Sequence, residues 1–254
     1  MPVNDTGFGR PLVLLHAFPL DSRMWDPVRR TLAEHARVIT PDQRGLGRTP
    51  LGAEPPDLDV VARDVLALLD ELGLDRVVLG GCSMGGYVAM ALLRLAPERV
   101  SGLVLADTKA VADTPEQRAN RLAMVARIEA EGVDWLPGTV VEGLLGQYTH
   151  AERPKVVAAV RELVAAQSAE GISWAQRAMA ARPDSTATLA AVTVPTLVIT
   201  GREDALIPPA LAAAMAGLVP SSRLVQLPGS GHLPPLEVPE EFSAAVLEFL
   251  RASG

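Results

Sequence analysis

Ser83 is flanked as Gly81-Cys82-Ser83-Met84-Gly85, a G-x-S-x-G pattern placed where the apolar run Arg76–Gly80 passes without a linker into a second apolar run, Met84–Leu95. A strand that reverses straight into a helix brings the two backbones so close that a Cβ two residues either side of the serine would collide, so glycine is required there. Such a turn strains the serine and projects its hydroxyl above the sheet edge. The N–H of Met84, at the helix start, then points to where an oxyanion would form. The chemistry implied is nucleophilic attack on a carbonyl. A phosphate loop would need a lysine after the second glycine, where Gly86 stands, and a dinucleotide turn would need G-x-G-x-x-G, which the spacing lacks. Cys82, the single cysteine, is not the residue such a turn exposes and reads as a small buried filler.

A serine hydroxyl is a poor nucleophile at neutral pH and needs an adjacent base, normally a histidine held by a carboxylate. The chain has four histidines. His35 lies among charges in LAEHAR, His150 falls in the polar stretch YTHAER, and His16 ends a buried strand, where it reads as a structural hydrogen-bonding residue near the site. His232, in PGSGHLPPLE, occupies a glycine loop after the last strand and can reach across the sheet edge. Three carboxylates compete for the acid. Asp204, in ITGREDALIP, sits between a Gly201 turn and a helix opening at Pro208, which aims it sideways at the histidine loop; Glu203 is adjacent, and Asp107 at the end of GLVLA is the serious rival. The second oxyanion donor is expected in the loop His16-Ala17-Phe18-Pro19, with the N–H of Phe18 facing that of Met84.

These residues need a sheet to carry them. LVLLH at Leu12–His16 is a continuous apolar run of the kind a strand buried on both faces requires. Strands at Arg37–Thr40, Arg76–Gly80, Gly102–Ala106, Pro195–Thr200 and Arg223–Leu227 alternate with helical patterns at Pro27–Ala36, Asp57–Leu72, Met84–Leu95, Pro209–Ala216 and Pro239–Arg251. That order implies a mostly parallel sheet with helices on both faces. From Ala112 to Leu189 the alternation fails. The segment reads as helices only, at Pro115–Glu131, Val140–Leu145, Pro154–Ser168 and Ile172–Ala181, with an irregular piece around Trp135–Gly138. The expected division is a core of residues 1–112 and 189–254 with an all-helical lid at 113–188. Helices inserted after a strand whose carboxyl end faces the site are well placed to cover it.

Composition sets the outer limits. A length of 254 residues suits one α/β domain with an insertion, and 48% hydrophobic with 21% charged residues is a globular balance. Lysine and arginine number 23 against 30 acids, a net charge of −7, so nothing attracts a nucleic-acid backbone. The start Met1-Pro2-Val3-Asn4-Asp5 has no basic region or apolar run of a secretory signal, and no stretch is apolar enough for a membrane span. A cytoplasmic protein without a membrane partner is expected, and one cysteine agrees with a reducing compartment.

The runs LLHAFPLDSRMWDP, PDQRGLGRT, GGCSMGGYVAM, LVLADT, VPTLVITGREDALIPP and GSGHLPPLEVPEEF together resemble the α/β-hydrolase superfamily, in its branch of small cofactor-free esterases, enol-lactonases and non-haem perhydrolases. The resemblance covers nearly the whole chain outside the insertion. It implies an α/β-hydrolase fold, Ser83 as nucleophile, Asp204 as acid, His232 as base, and backbone N–H groups of Phe18 and Met84 as the oxyanion hole. Two departures stand out. The family usually writes His-Gly where this chain has His16-Ala17, and it opens with a two-strand hairpin for which Met1–Arg10 is too short, so a truncated edge with one strand near Val3–Thr6 is expected.

The activity implied is hydrolysis of a small or medium ester or lactone through an acyl-enzyme, with no metal and no organic cofactor. Two variants keep the site and change the reaction: hydrogen peroxide as acceptor, or a carbon leaving group. A ligand receptor on the same fold is the reading from another class. Serine at position 83 excludes a haloalkane dehalogenase, which needs aspartate there. In the lid, Trp135, Tyr148 and Trp174 either line a mainly apolar pocket or pack the insertion onto the core, and Arg177, three residues beyond Trp174, either meets a substrate carboxylate or is a surface arginine.

Overall fold

The computed structural model describes residues 1–253. The chain enters its sheet through β1 (Val3–Thr6), which pairs antiparallel with β3 (Arg37–Pro41) and not with its sequence neighbour β2 (Pro11–Leu15). This is the short edge strand that Met1–Arg10 leaves room for. The remaining strands are β4 (Val77–Cys82), β5 (Val100–Ala106), β6 (Thr196–Gly201) and β7 (Ser222–Leu227), all parallel, in the order β1-β3-β2-β4-β5-β6-β7. Every residue of β4 and of β6 is buried, as a strand covered on both faces requires.

The chain winds from β2 outward to β3 and then crosses back to β4 on the other side of β2. The connections therefore diverge between β2 and β4, whose carboxyl ends adjoin through the pair Leu15 and Gly81. A crevice opens where neighbouring strands send their connections to opposite faces, so ligands bind at such a point.

Three core helices, α1 (Asp26–Ala33), α2 (Leu58–Glu71) and α3 (Met84–Leu95), cover the first half of the sheet. Between β5 and β6 lie α4 (Pro115–Glu131), α5 (Leu136–Leu144), α6 (Gln147–Glu152), α7 (Pro154–Ala165), α8 (Ala169–Ala181) and α9 (Thr186–Ala190), without a strand among the described residues. α10 (Pro209–Leu218), α11 (Pro234–Glu237) and α12 (Pro239–Ala252) complete the fold, α12 packing beside α1 and α2 beside α3. The α/β-hydrolase fold expected from the sequence is the fold observed.

Local signals explain most boundaries. Asp57 caps α2 by accepting from the N–H of Asp59, and Thr114 and Gln117 form a capping box at the start of α4. The segment expected to be irregular, Trp135–Gly138, is instead the start of α5, with Trp135 at the N-cap and Pro137 where a missing N–H costs nothing. α6, α9 and α11, of four to six residues, are too short to show a helical period in sequence. Among the described residues no helix is long and apolar enough to cross a membrane.

Candidate active site

Ser83 stands between β4 and α3 with φ 52° and ψ −113°, outside the regions an L-residue prefers. The two glycines leave no alternative to their own size: a Cβ on Gly81 would overlap the Gly85 carbonyl, and one on Gly85 would overlap the Leu15 carbonyl of the neighbouring strand. The turn is therefore locked from both sides. Cys82 is fully buried under the histidine loop, its Sγ 3.7 Å from the carbonyl oxygen of His232, and burial pushes its thiol well above the ordinary value. A buried neutral thiol is a filler, not a nucleophile.

The structure brings Ser83, His232 and Asp204 together from the ends of β4, β7 and β6. Ser83 Oγ lies 2.7 Å from His232 Nε2, and His232 Nδ1 lies 2.8 Å from Asp204 Oδ2. A carboxylate only accepts, so Nδ1 carries the proton and Nε2 is left to accept from the serine hydroxyl. The other oxygen of Asp204 accepts from the N–H groups of Leu206 and Ile207, both at 2.9 Å, so the loop before α10 holds one oxygen and His232 the other. Burial works to raise the Asp204 carboxyl, and the charge and hydrogen bond of His232 outweigh it, leaving it below the ordinary value.

The competing residues have other partners. Glu203 accepts from the N–H of Tyr148 at 2.9 Å, on the outer side of the loop. His16 is fully buried: its Nε2 accepts from the N–H of Gln43 at 2.9 Å and its Nδ1 faces the Ala17 carbonyl. Burial lowers its pKa, so it stays neutral and structural. Asp107, with φ 43°, accepts from the N–H of Gly201 at 2.8 Å, and its other oxygen, buried, has no partner nitrogen or hydroxyl. Burial, reinforced by the charge of Asp204, pushes the Asp107 carboxyl well above the ordinary value.

Phe18 follows β2 and lines the same cavity as Ser83, and Met84 opens α3 directly after the serine. Met84 is the first residue of α3, where the N–H has no acceptor within the helix and the positive end of the helix dipole lies. Ala17, where the family writes glycine, is not in a left-handed conformation, so its methyl costs no strain; it is fully buried.

A cavity of about 400 Å³ opens onto Ser83 and His232. Phe18, Met124, Val140, Leu144, Met179 and Leu206 form its apolar walls, and Lys109, Asp113 and Arg121 stand on one side. None of Trp135, Tyr148, Trp174 and Arg177, for which lining the pocket was one of two readings, lines this cavity. Trp174 is buried on the far side of α8, its Nε1 donating to the Glu54 carbonyl at 2.9 Å. Trp135 packs beneath the Arg127 guanidinium, 3.7 Å from its ring centroid. Tyr148 is 49% exposed, stacked against Arg153. Arg177 pairs with Glu129 on the surface. Residues that sequence reasoning passed over fill their places: Gln117, Asn120, Arg121 and Met124 form one face of α4, at the i, i+3, i+4 and i+7 spacing that could have revealed them.

Sequence reasoning also passed over Glu237. Buried to 2% exposure, it accepts from the N–H groups of Gly231 and Leu233, both at 3.0 Å, from Gly146 N–H at 2.8 Å and from the Thr149 hydroxyl at 2.7 Å. One carboxylate thus ties the loop of His232 to α6. The signal was present in the acid five residues after the histidine, but only the fold shows what it holds.

The chain is 40% identical to a thermophilic esterase from Thermogutta terrifontis solved with malate bound, with a TM-score of 0.96, covering 99% of this chain and 93% of that one. It is 27% identical to the enol-lactonase of Burkholderia xenovorans LB400, TM-score 0.90, covering 98% and 96%. A Mycobacterium tuberculosis protein carrying the name non-heme bromoperoxidase BpoC is 30% identical, over 97% of this chain and 95% of its own length. The family model of the alpha/beta hydrolase fold matches residues 10–239, and this chain belongs to that family.

Proposed function

We propose that the protein is a serine hydrolase that cleaves a carboxylic ester or lactone through an acyl-enzyme. The observation that carries this reading is the unbroken hydrogen-bonded chain from Asp204 through His232 to the Ser83 hydroxyl, ending in the cavity. As Ser83 Oγ attacks the substrate carbonyl, His232 Nε2 takes its proton, and Asp204 stabilises the imidazolium without itself being protonated. The N–H groups of Phe18 and Met84 receive the oxyanion. His232 then gives its proton to the leaving oxygen, and a water that it deprotonates cleaves the acyl-enzyme.

The test is steady-state turnover of short esters and lactones, with an organophosphonate probe to mark the nucleophile. Turnover with labelling confined to Ser83 is the expected result. One slow turnover followed by a lasting conformational change would instead support a receptor. The likeness to the bromoperoxidase BpoC favours a second reading of the same acyl-enzyme, in which hydrogen peroxide replaces water and the product is a peracid. Peracid formed from an ester and peroxide, faster than hydrolysis of that ester, would make perhydrolysis the principal activity.

A further inference from the structure

Beside the serine, one wall of the cavity carries more positive charge than its fold needs. Asp113, 2% exposed at its side chain, is surrounded by three cations: Lys109 Nζ at 3.1 Å and Arg182 at 2.9 Å on one oxygen, Arg121 Nε at 2.5 Å on the other. Three cations around one carboxylate leave a net charge of +2. Asp113 is also the only acid lining the cavity among the described residues. Pinning α4 to the core takes one ion pair; Arg182 also feels Asp184, whereas Lys109 and Arg121, partly removed from water, share Asp113 as their one salt-bridge partner.

Their remaining donors point to a ligand. Lys109 spends two of its three N–H groups, on Asp113 and on Gln117 Oε1 at 2.7 Å. Arg121 uses Nε for Asp113 and Nη1 for Gln176 at 2.9 Å, and no protein acceptor among the described residues engages its Nη2. Both side chains line the cavity that holds Ser83 and His232. Arg182 is different: its guanidinium is held by the Met179 and Val111 carbonyls and lies over the Tyr87 ring, so it supplies charge and not a contact. The wall is also fixed in place relative to the nucleophile. Thr108, the residue before Lys109, donates its hydroxyl to the Ser83 carbonyl at 2.8 Å.

We propose that Lys109 and Arg121 form a carboxylate subsite, and that the substrate is an ester or lactone bearing a second, free carboxylate that this wall binds while Ser83 attacks the reacting carbonyl. This deepens the serine-hydrolase reading and rests on it. A planar guanidinium with a free edge beside an ammonium suits two carboxylate oxygens, and the apolar walls opposite suit the carbon chain between the two carbonyl groups.

The experiment compares 4-nitrophenyl hydrogen glutarate with 4-nitrophenyl pentanoate, and adds glutarate or glutaramide as inhibitor. In the unmodified protein, kcat/KM for the acid-bearing ester should exceed that for the neutral ester by at least tenfold, and glutarate should inhibit competitively while glutaramide does not. In Arg121→Gln and in Lys109→Gln that ratio should fall at least tenfold, mainly through KM for the acid-bearing ester. A purely structural cluster would lower both substrates alike. Equal efficiency on the two esters with no inhibition by glutarate overturns the subsite and leaves the hydrolase standing. Because Arg121 also holds Asp113, a variant that fails to fold is replaced by the unmodified protein's discrimination between glutarate and glutaramide, which decides the matter alone. If neither ester turns over, the hydrolase reading falls, and calorimetry with glutarate still decides the subsite: no saturable binding overturns it.

Discussion

Asp107 and Asp204, which follow adjacent strands, put their carboxyls side by side behind His232, one carboxylate oxygen of each and one ring nitrogen of the histidine lying within 4.8 Å of one another. Two buried carboxyls so close cannot both ionise. Asp204, paired with His232, takes the charge, and Asp107, buried with one oxygen on the Gly201 N–H and the other otherwise unpartnered, keeps the proton and can donate it to Asp204. Asp107 is then a neutral acid that steadies the charged one.

Asp107→Asn should therefore be mild, since a carboxamide reproduces the neutral acid's acceptor and donor. Its kcat/KM should stay within about fivefold, whereas Asp204→Asn should cost roughly 10³ to 10⁴. The reverse ordering would make Asp107 the acid of the triad.

The same pair sets a pH dependence. The raised pKa of Asp107 means that the folded state holds a proton the unfolded chain releases above its ordinary value of 3.8. That stabilisation is complete below 3.8 and is lost as pH rises through the folded value, at about 1.4 kcal/mol for each pH unit between the two. Asp204 works in the opposite sense but is present in both proteins. Thermal denaturation at pH 4.5 and at pH 8 should show Asp107→Asn gaining on the parent as pH rises; a loss with rising pH would refute the neutral assignment.

Ser83→Ala should abolish labelling by an organophosphonate, and His232→Ala should lower turnover by roughly 10⁴ to 10⁶. An effect of His232→Ala below tenfold would move the base to another residue. His16 is not a substitute, being fully buried with both ring nitrogens occupied.

What the sequence reveals about this site depends on how local the constraint is. Gly81 and Gly85 announce Ser83 because the collisions they avoid lie within the turn and with the adjoining strand. Asp204 and His232 follow from loop positions at strand ends. The helical segment between β5 and β6 was less legible, because a tryptophan says that it will be buried and not against what. Trp174 turns to the Glu54 carbonyl, and the opposite side of the same helix gives Gln176 and Met179 to the cavity. Lys109 was hidden for another reason: its partners Asp113 and Gln117 sit on the inserted segment, whose docking the sequence does not specify.

Arg177 provides a control for the charged wall. Its pair with Glu129 is on the surface, with side chains 41% and 56% exposed. Exposed pairs contribute roughly 0 to 1 kcal/mol. Arg177→Ala should thus leave kcat/KM for acid-bearing and neutral esters within about twofold, measured beside the Arg121 variant. A tenfold rise in KM confined to the acid-bearing ester would return the carboxylate contact to Arg177.

Glu237 offers the most direct test of how the histidine loop is held. Its carboxylate faces donors only: the N–H groups of Gly146, Gly231 and Leu233, and the Thr149 hydroxyl. Glu237→Gln keeps the volume but turns an amide N–H₂ toward some of these donors, leaving buried groups unpaired at roughly 1 to 3 kcal/mol each. The melting temperature should drop by several degrees. Since Gly231 immediately precedes His232, whose own N–H donates to the Leu144 carbonyl at 3.2 Å, the imidazole should also lose its aim at Ser83. Turnover should then fall by about tenfold or more with KM little changed, because the cavity walls that bind the substrate are elsewhere. A variant that melts early but turns over at the parental rate below its transition would show that Glu237 secures α6 alone and that the loop holds His232 without it.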